Sequence, residues 1–505
     1  MKPSTILAIL LILPIFSSAP VYFFGRIGML RSKGKPGEIA FFLALASVLI
    51  TFIFFALAVN EFFKTGPIDI YYGSIKLSFD AISLVMSGTL LLLTFVVILF
   101  SPVYLSEELN QEKYYAQVLV LMTSILGLTC ATDLFNLYAW YELMAISSYS
   151  LVSFYCKTLE PLEAGIKYLV QSAAGSSFII LAIAILFGGT GEVAIPDLQN
   201  AVSGNSTAII ASVALFVIGY GIKAALVPMH FWLPDAHCQA PASISALLSG
   251  IVIETGLIAL LRSLSVFKNT SLPIGTLFLI FGALNMLVGN LSALRQKEIK
   301  RMLAFSSITH MGYIVLGVGF ALTSATSAQM SDGIFIHIFN HAMMKGLAFL
   351  CIGALFYYLK IAHGSREPIS VEDLNGISQH YPLFAFCLSV AVLALGGLPL
   401  FSGFISKWKI MASGAVASGA WNAILIIFLG LNSVLSLGYY APLVNRMYRI
   451  KGAGADVIAE KQTVSKMIIF PLVILTVGII FFGLFPMVLD RFSEAAKNAF
   501  YTMFY

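Results

Sequence analysis

The chain has 505 residues, 59% of them hydrophobic and 10% charged, with mean hydropathy +0.93 and a formal net charge of +5. A soluble domain carries about 25% charged residues, so a water-soluble enzyme or binding module is excluded. The basic residues lie in short loops between apolar runs, which excludes a nucleic-acid surface, and the five cysteines (Cys130, Cys156, Cys238, Cys351 and Cys387) form no CxxC pair, which argues against an iron–sulfur cluster or zinc knuckle.

Apolar runs of membrane-spanning length, about 17–25 residues, recur from end to end. They predict an all-α polytopic membrane protein of about fourteen spans, near 4–24, 38–60, 79–104, 115–132, 134–156, 165–188, 207–227, 241–264, 272–294, 301–323, 332–359, 381–410, 420–446 and 465–488, then a short amphipathic tail. Lys2 and Ser17-Ser18-Ala19 imitate a signal peptide. The apolar run continues through Val21, Tyr22, Phe23 and Phe24, so a first spanning helix is expected instead.

Residues 1–114 hold almost no ionisable group inside a span and read as scaffold. Further on, Glu142 falls in the fifth span, Lys223 in the seventh, Glu254 in the eighth and His310 in the tenth. His337, His341 and Lys345 fall in the eleventh, and Lys407 and Lys409 in the twelfth. An ionisable group inside a bilayer costs several kcal/mol and marks a functional position by default. Acids, lysines and imidazoles spread over successive spans suit a hydrated proton path, since each site holds or releases a proton and neighbours tune one another. Glu142 and Lys223 are expected to form an ion pair. Buried pairs that only fix helix register are the bland alternative.

The seventh span reads Gly219-Tyr220-Gly221-Ile222-Lys223-Ala224-Ala225-Leu226-Val227-Pro228, and the twelfth contains Gly396-Gly397-Leu398-Pro399 ahead of Lys407. Each sets a lysine beside a Gly/Pro break. Irregular backbone at membrane depth is tolerated only where it lines protein or a wet cavity, and paired breaks in two halves of a transporter point to its ion site. A shift of five spans makes the two repeats inverted. The expected units are 1–114, a first repeat 115–264, a second repeat 265–446, and a last span with tail 447–505.

Lys and Arg counted to loops after odd-numbered spans number 18, against 4 (Lys64, Lys76, Arg262 and Lys268) after even-numbered ones. Cytoplasmic loops carry that excess, which predicts a cell-membrane protein with both termini outside. His337 and His341 have i, i+4 spacing, but no nearby Asp, Glu or Cys completes a metal set. His230 and His237 flank a Phe-Trp-Leu-Pro-Asp-Ala stretch that reads either as a polar entrance or as an ordered loop. No Walker A, GxGxxG or triad spacing occurs, so no cofactor is expected and the energy must come from another chain or an ion gradient.

The stretch Lys223 to His237, KAALVPMHFWLPDAH, resembles the hallmark of the antiporter-like subunits of respiratory complex I, of Mrp-type sodium/proton antiporters and of membrane-bound hydrogenases. Tyr141-Glu142-Leu143-Met144, the stretch Lys300 to Tyr313, His337 to Lys345, and Leu398 to Lys407 resemble further motifs of that family, over roughly residues 75–450. The resemblance implies fourteen helices with an inverted repeat, a path along the membrane midplane, and partners that are other membrane subunits, including further antiporter-like ones. It implies that Glu142 is the acid paired with Lys223, that Lys223 is the central proton-holding lysine, and that Lys407 is the terminal exchange site. Glu254 is a departure, because family members commonly carry a lysine there. Together with Lys407 it tilts the resemblance towards the hydrogenase and Mrp members. The expected function is translocation of H+ or Na+ within a multisubunit complex. The alternatives are a self-sufficient carrier of a small solute, a redox subunit holding haem or quinone, and an inert scaffold.

Overall fold

The computed structural model describes residues 1–31, 37–155, 159–323, 332–363, 369–416, 420–449 and 463–505. Cys156 and the loop cations Lys33, Lys35, Lys157, Arg366, Lys451 and Lys461 lie outside the described residues.

The chain opens with α1 (Pro3–Arg31) and α2 (Glu38–Thr65), then a hairpin of β1 (Ile68–Tyr72) and β2 (Ile75–Phe79). There follow α3 (Ala81–Tyr104), α4 (Gln111–Cys130), α5 (Leu134–Val152), α6 (Leu159–Thr190), α7 (Ile195–Ala201), α8 (Thr207–Lys223) and α9 (Trp232–Gln239). Next come α10 (Ala242–Leu247), a π-helical turn at Leu248–Val252, α11 (Ile253–Leu264), α12 (Ile274–Ala293), α13 (Ile299–Thr323) and α14 (Asp332–His363). The chain closes with α15 (Pro382–Gly396), α16 (Ser402–Val416), α17 (Ala420–Tyr448), α18 (Lys466–Leu484) and α19 (Met487–Phe504).

Among the described residues, eleven segments are long and apolar enough to cross a membrane, with α10, the π turn and α11 counting as one. Two shorter apolar helices, α8 and α15, add to them. The distribution of side chains is that of a membrane protein. Large apolar groups such as Phe42, Ile53, Trp421, Ile427 and Leu431 are exposed, while Lys223, Glu254, His310 and Lys345 are fully buried. Only a solvent as apolar as lipid permits the first, and only internal polar partners permit the second.

Five features differ from the sequence expectations. The hairpin occupies a stretch read as loop, and its register pairs Ile68 with Phe79 and Ile70 with Leu77, so apolar side chains face the bundle. The seventh span stops at Lys223 instead of 227, and the twelfth divides into α15 and α16. The fifth ends at Val152. Arg262, counted as a loop cation, is buried at the end of α11, where it binds Asp80 at 2.7 Å and the Thr129 carbonyl at 2.6 Å.

Without a hydrophobic force between helices in lipid, small residues set how closely they pack. Gly275, Gly282 and Gly289 recur every seven residues on α12 and lie against Leu322, Leu316 and Thr309 of α13, while Gly312 and Gly319 of α13 lie against Gly282 and Leu279 of α12. A Cβ on Gly282 would stand 2.6 Å from the Leu316 backbone nitrogen. Gly282→Leu should therefore push α12 off α13 and cost at least about 1–3 kcal/mol, read as a lowered thermal unfolding midpoint in detergent. An unchanged midpoint would show that this seam is not tight.

Candidate functional site

Lys223 is the last residue of α8. The carbonyl ends of a helix carry partial negative charge, which favours a cation there. The freed carbonyls are then taken up in turn: Ala224 N–H bonds Tyr220 O, Ala225 N–H bonds Ile222 O, Leu226 N–H bonds Gly221 O, and Trp232 Nε1 donates to Ile222 O at 2.6 Å. The Lys223 ammonium donates to Ser148 Oγ at 2.9 Å and to the Tyr168 hydroxyl, and lies 4.5 Å from the Tyr168 ring centroid. Tyr168 stacks flat on Trp232, centroids 3.9 Å apart. The cation thus rests in a cage of two hydroxyls and an aromatic face.

Lys223 makes no direct ion pair with Glu142, contrary to expectation, because its donors are engaged by Ser148 and Tyr168. Tyr141 faces the lysine, with its ring 6.0 Å away. Successive helical residues diverge by about 100°, so Glu142 points elsewhere. Glu142 is half-buried and its Oε1 has no hydrogen-bond partner among the described residues.

Gly256 of α11 packs against the Lys223 backbone, where a Cβ would stand 3.1 Å from Lys223 Cβ. Gly250 in the π turn packs as closely on Ala342 of α14. Two glycines thus let one span nestle between Lys223 and the histidines of α14. There Glu254 Oε1 meets His341 Nδ1 at 2.6 Å, both side chains fully buried. The His341 ring stacks on His310 at 4.9 Å. His310 Nδ1 is 3.1 Å from His337 Nε2, and His337 Nδ1 is 2.8 Å from Ser406 Oγ. Glu254 Oε2, His341 Nε2 and His310 Nε2 are buried without a partner among the described residues, so each has valence free for proton exchange.

Lys407 follows Ser406 on α16. Its ammonium donates to the Leu395 carbonyl at the end of α15 (2.7 Å) and to Ser433 Oγ (3.1 Å), and lies 4.5 Å from the Tyr313 ring centroid. Ser433 Oγ in turn donates to Gly396 O. The second break thus repeats the chemistry of the first: a lysine, a helix carboxyl end, a hydroxyl and an aromatic face. Lys345 donates to Leu303 O (2.7 Å) and Ser306 Oγ (2.6 Å), beside this line. Lys409 is apart from it, paired with Asp332 and Asp490.

His237 is buried with its ring stacked on Phe349, and neither ring nitrogen has a partner among the described residues. Around α9, Asp235 binds Lys167 and Arg301, and Lys300 caps the helix through Cys238 O and Ala240 O. No group of three or more His, Cys, Asp or Glu among the described residues is arranged to hold a metal. Ser148, Tyr168, Asn285, Ser406 and Ser433 escape a sequence reading because isolated Ser and Tyr are common in spans. Asn285, an amide in an apolar run, is the exception that carried a signal.

A bundle of apolar helices, with buried lysines at two helix breaks and a line of titratable groups between them, defines an ion-translocating membrane protein. Residues 131–436 match the family described as NADH:quinone oxidoreductase/Mrp antiporter, transmembrane, and the chain belongs to it. It is 30% identical to the F(420)H(2) dehydrogenase subunit N of Methanosarcina mazei over 475 residues, 93% of each chain. It is 31% identical to the NADH-quinone oxidoreductase subunit N of Trichlorobacter lovleyi over 408 residues, 79% of this chain and 80% of that one. Among solved structures, a chain of the membrane-bound sulfane sulfur reductase, an archaeal respiratory membrane complex, superposes with a TM-score of 0.86 at 29% identity over 98% of each chain. A chain of the Mrp complex of Dietzia sp. gives 0.83 at 20% identity over 99% of this chain and 98% of that one, a likeness of fold. The chain is an antiporter-like membrane subunit. Both named relatives are N subunits of oxidoreductases, so they add nothing to the tilt towards hydrogenase and Mrp members.

Proposed function

We propose that this chain carries protons across the cell membrane as one subunit of a multisubunit oxidoreductase of the complex I type. The carrying observation is the buried line Glu254–His341–His310–His337–Ser406, which ends beside Lys407 and begins one packed helix from Lys223. Imidazoles and a carboxyl pass protons by hydrogen-bond exchange, here within Glu254–His341 and within His310–His337–Ser406, and the stacked His341 and His310 rings bring the two segments together. A sodium ion needs a cage of oxygen ligands, as other hard cations do, and nitrogen predominates here.

In this reading Lys223 stores a proton and the Glu254–His341 pair receives it. His310 and His337 relay it, and Lys407 exchanges it at the far end. Glu142 biases Lys223 through space, and Lys345 biases the imidazoles. The fourteen-span count follows if α5, α8 and the α15–α16 pair are added to the eleven long apolar segments. Inverted repeats over 115–264 and 265–446 would explain why both breaks present the same chemistry. Placing the odd loops in the cytoplasm puts both termini outside. The relatives are named as subunits, which favours partner membrane chains over a self-sufficient solute carrier.

The test is ion uptake by inverted membrane vesicles energised by the native complex, followed with a pH-sensitive dye and with labelled sodium. Acidification without sodium uptake is expected, and sodium uptake would overturn the proton assignment. Lys407→Ala should cut acidification by about tenfold or more, while the complex still assembles.

A further inference from the structure

Asn285 lies in the middle of α12, fully buried. Its carboxamide makes bonds only to backbone, and to two different segments of the chain. Oδ1 accepts from Val227 N–H at 2.7 Å, Nδ2 donates to Ala225 O at 3.1 Å, and Nδ2 also reaches Ile308 O of α13 at 3.4 Å. The first two partners belong to the unwound stretch directly after Lys223. The third is two residues before His310.

The stretch needs such support. Ala225 has φ +52°, a left-handed conformation that a residue with a Cβ rarely adopts. Such a residue persists only where its surroundings over-determine it. Beyond the three bonds that close the end of α8, Trp232 ties the stretch from one side and Asn285 from the other. No other polar side chain bonds the Ala225 carbonyl or the Val227 amide among the described residues.

We propose that Asn285 is a positioning residue for ion transfer. It clamps the helix break that presents Lys223 and fixes that break against the helix that carries His310, so Lys223 and the imidazole line it feeds keep one spacing. This rests on the reading of Lys223 as an ion-holding lysine. The sites it joins belong to different halves of the chain, so the amide is also where a shift of the break would be felt by the histidine line.

Hydrogen–deuterium exchange on the purified native complex, combined with vesicle acidification, tests it. Asn285→Leu keeps the volume and removes all three bonds. Exchange in peptides covering 224–231 should rise about tenfold, and acidification per turnover of the driving reaction should fall by a similar factor, with turnover retained. Asn290→Leu, on the same helix, removes bonds with Asn432, Thr309 and Tyr439 instead and should leave exchange at 224–231 unchanged. If Asn285→Leu fails to assemble, Asn285→Ser, which shortens the reach and loses the clamp, carries the same comparison. Unchanged exchange overturns the clamp. Raised exchange with normal acidification overturns its role in transfer. If Lys223→Ala also acidified normally, the site reading itself would fall, a separate result.

Discussion

Lys223→Ala should abolish ion translocation while the complex still assembles and its driving reaction still turns over. The ammonium is the cation of its cage: Ser148 and Tyr168 supply hydroxyls, and the Tyr168 ring supplies a face held in place by stacking on Trp232. Removing the side chain leaves two hydroxyls and no amine to hold a proton there, and a general acid–base group contributes about 10²–10⁴-fold. Loss of at least about a hundredfold in vesicle acidification is therefore expected. Assembly survives because the helix end keeps its own closure through Tyr220, Gly221 and Ile222 carbonyls. Full acidification in the variant would remove Lys223 from the path. Lys223→Arg makes a second test, since arginine holds a charge but does not release its proton. It should fold like the native chain and translocate like the alanine variant.

The second large effect is expected at Glu254. Its carboxyl meets His341 at 2.6 Å with both groups out of contact with solvent. Breaking a buried pair by removing one partner costs about 3–5 kcal/mol, so Glu254→Ala mixes a folding defect with a transfer defect. Glu254→Gln separates them. It keeps shape and one hydrogen bond but cannot exchange a proton, so acidification should fall by about a hundredfold with the melting midpoint little changed. Glu254→Lys is the informative opposite. Family members commonly carry a lysine at this place in the pattern, yet here it would set an ammonium against His341 and beneath the stacked His310 ring. The geometry predicts loss of transfer. Retained transfer would mean that the site tolerates either charge sign and that His341 is not its obligate partner.

These two expectations rest on different kinds of legibility. Lys223 and Lys407 stood out in the sequence because charge in an apolar run is costly, and because each sits by a Gly/Pro break. The structure places each ammonium where helix carbonyls end. The pairing of Glu142 with Lys223 looked equally natural and is not made. Sequence separation does not reveal which way a side chain points, and Tyr141 occupies the facing position. The sequence singled out His310, His337 and His341 as ionisable groups inside spans but not their order, which depends on how α13 and α14 are set against each other.

The sequence by itself determined the bilayer as solvent, most spanning segments, both breaks and the residues that carry charge into the interior. The physical reason is that these follow from local quantities: run length, hydropathy and the cost of an ionised group in lipid. Only the tertiary structure decided who meets whom. The hydroxyl cage of Lys223, the Glu254–His341 contact, the ladder to Ser406 and the Asn285 clamp each join residues far apart in the chain. Their spacing is set by glycine seams, where the backbones approach as closely as a missing Cβ allows. The β1–β2 hairpin was hidden for a related reason, since two short strands between spans carry too little periodicity to distinguish them from loop, and only packing against the bundle gives them a buried face.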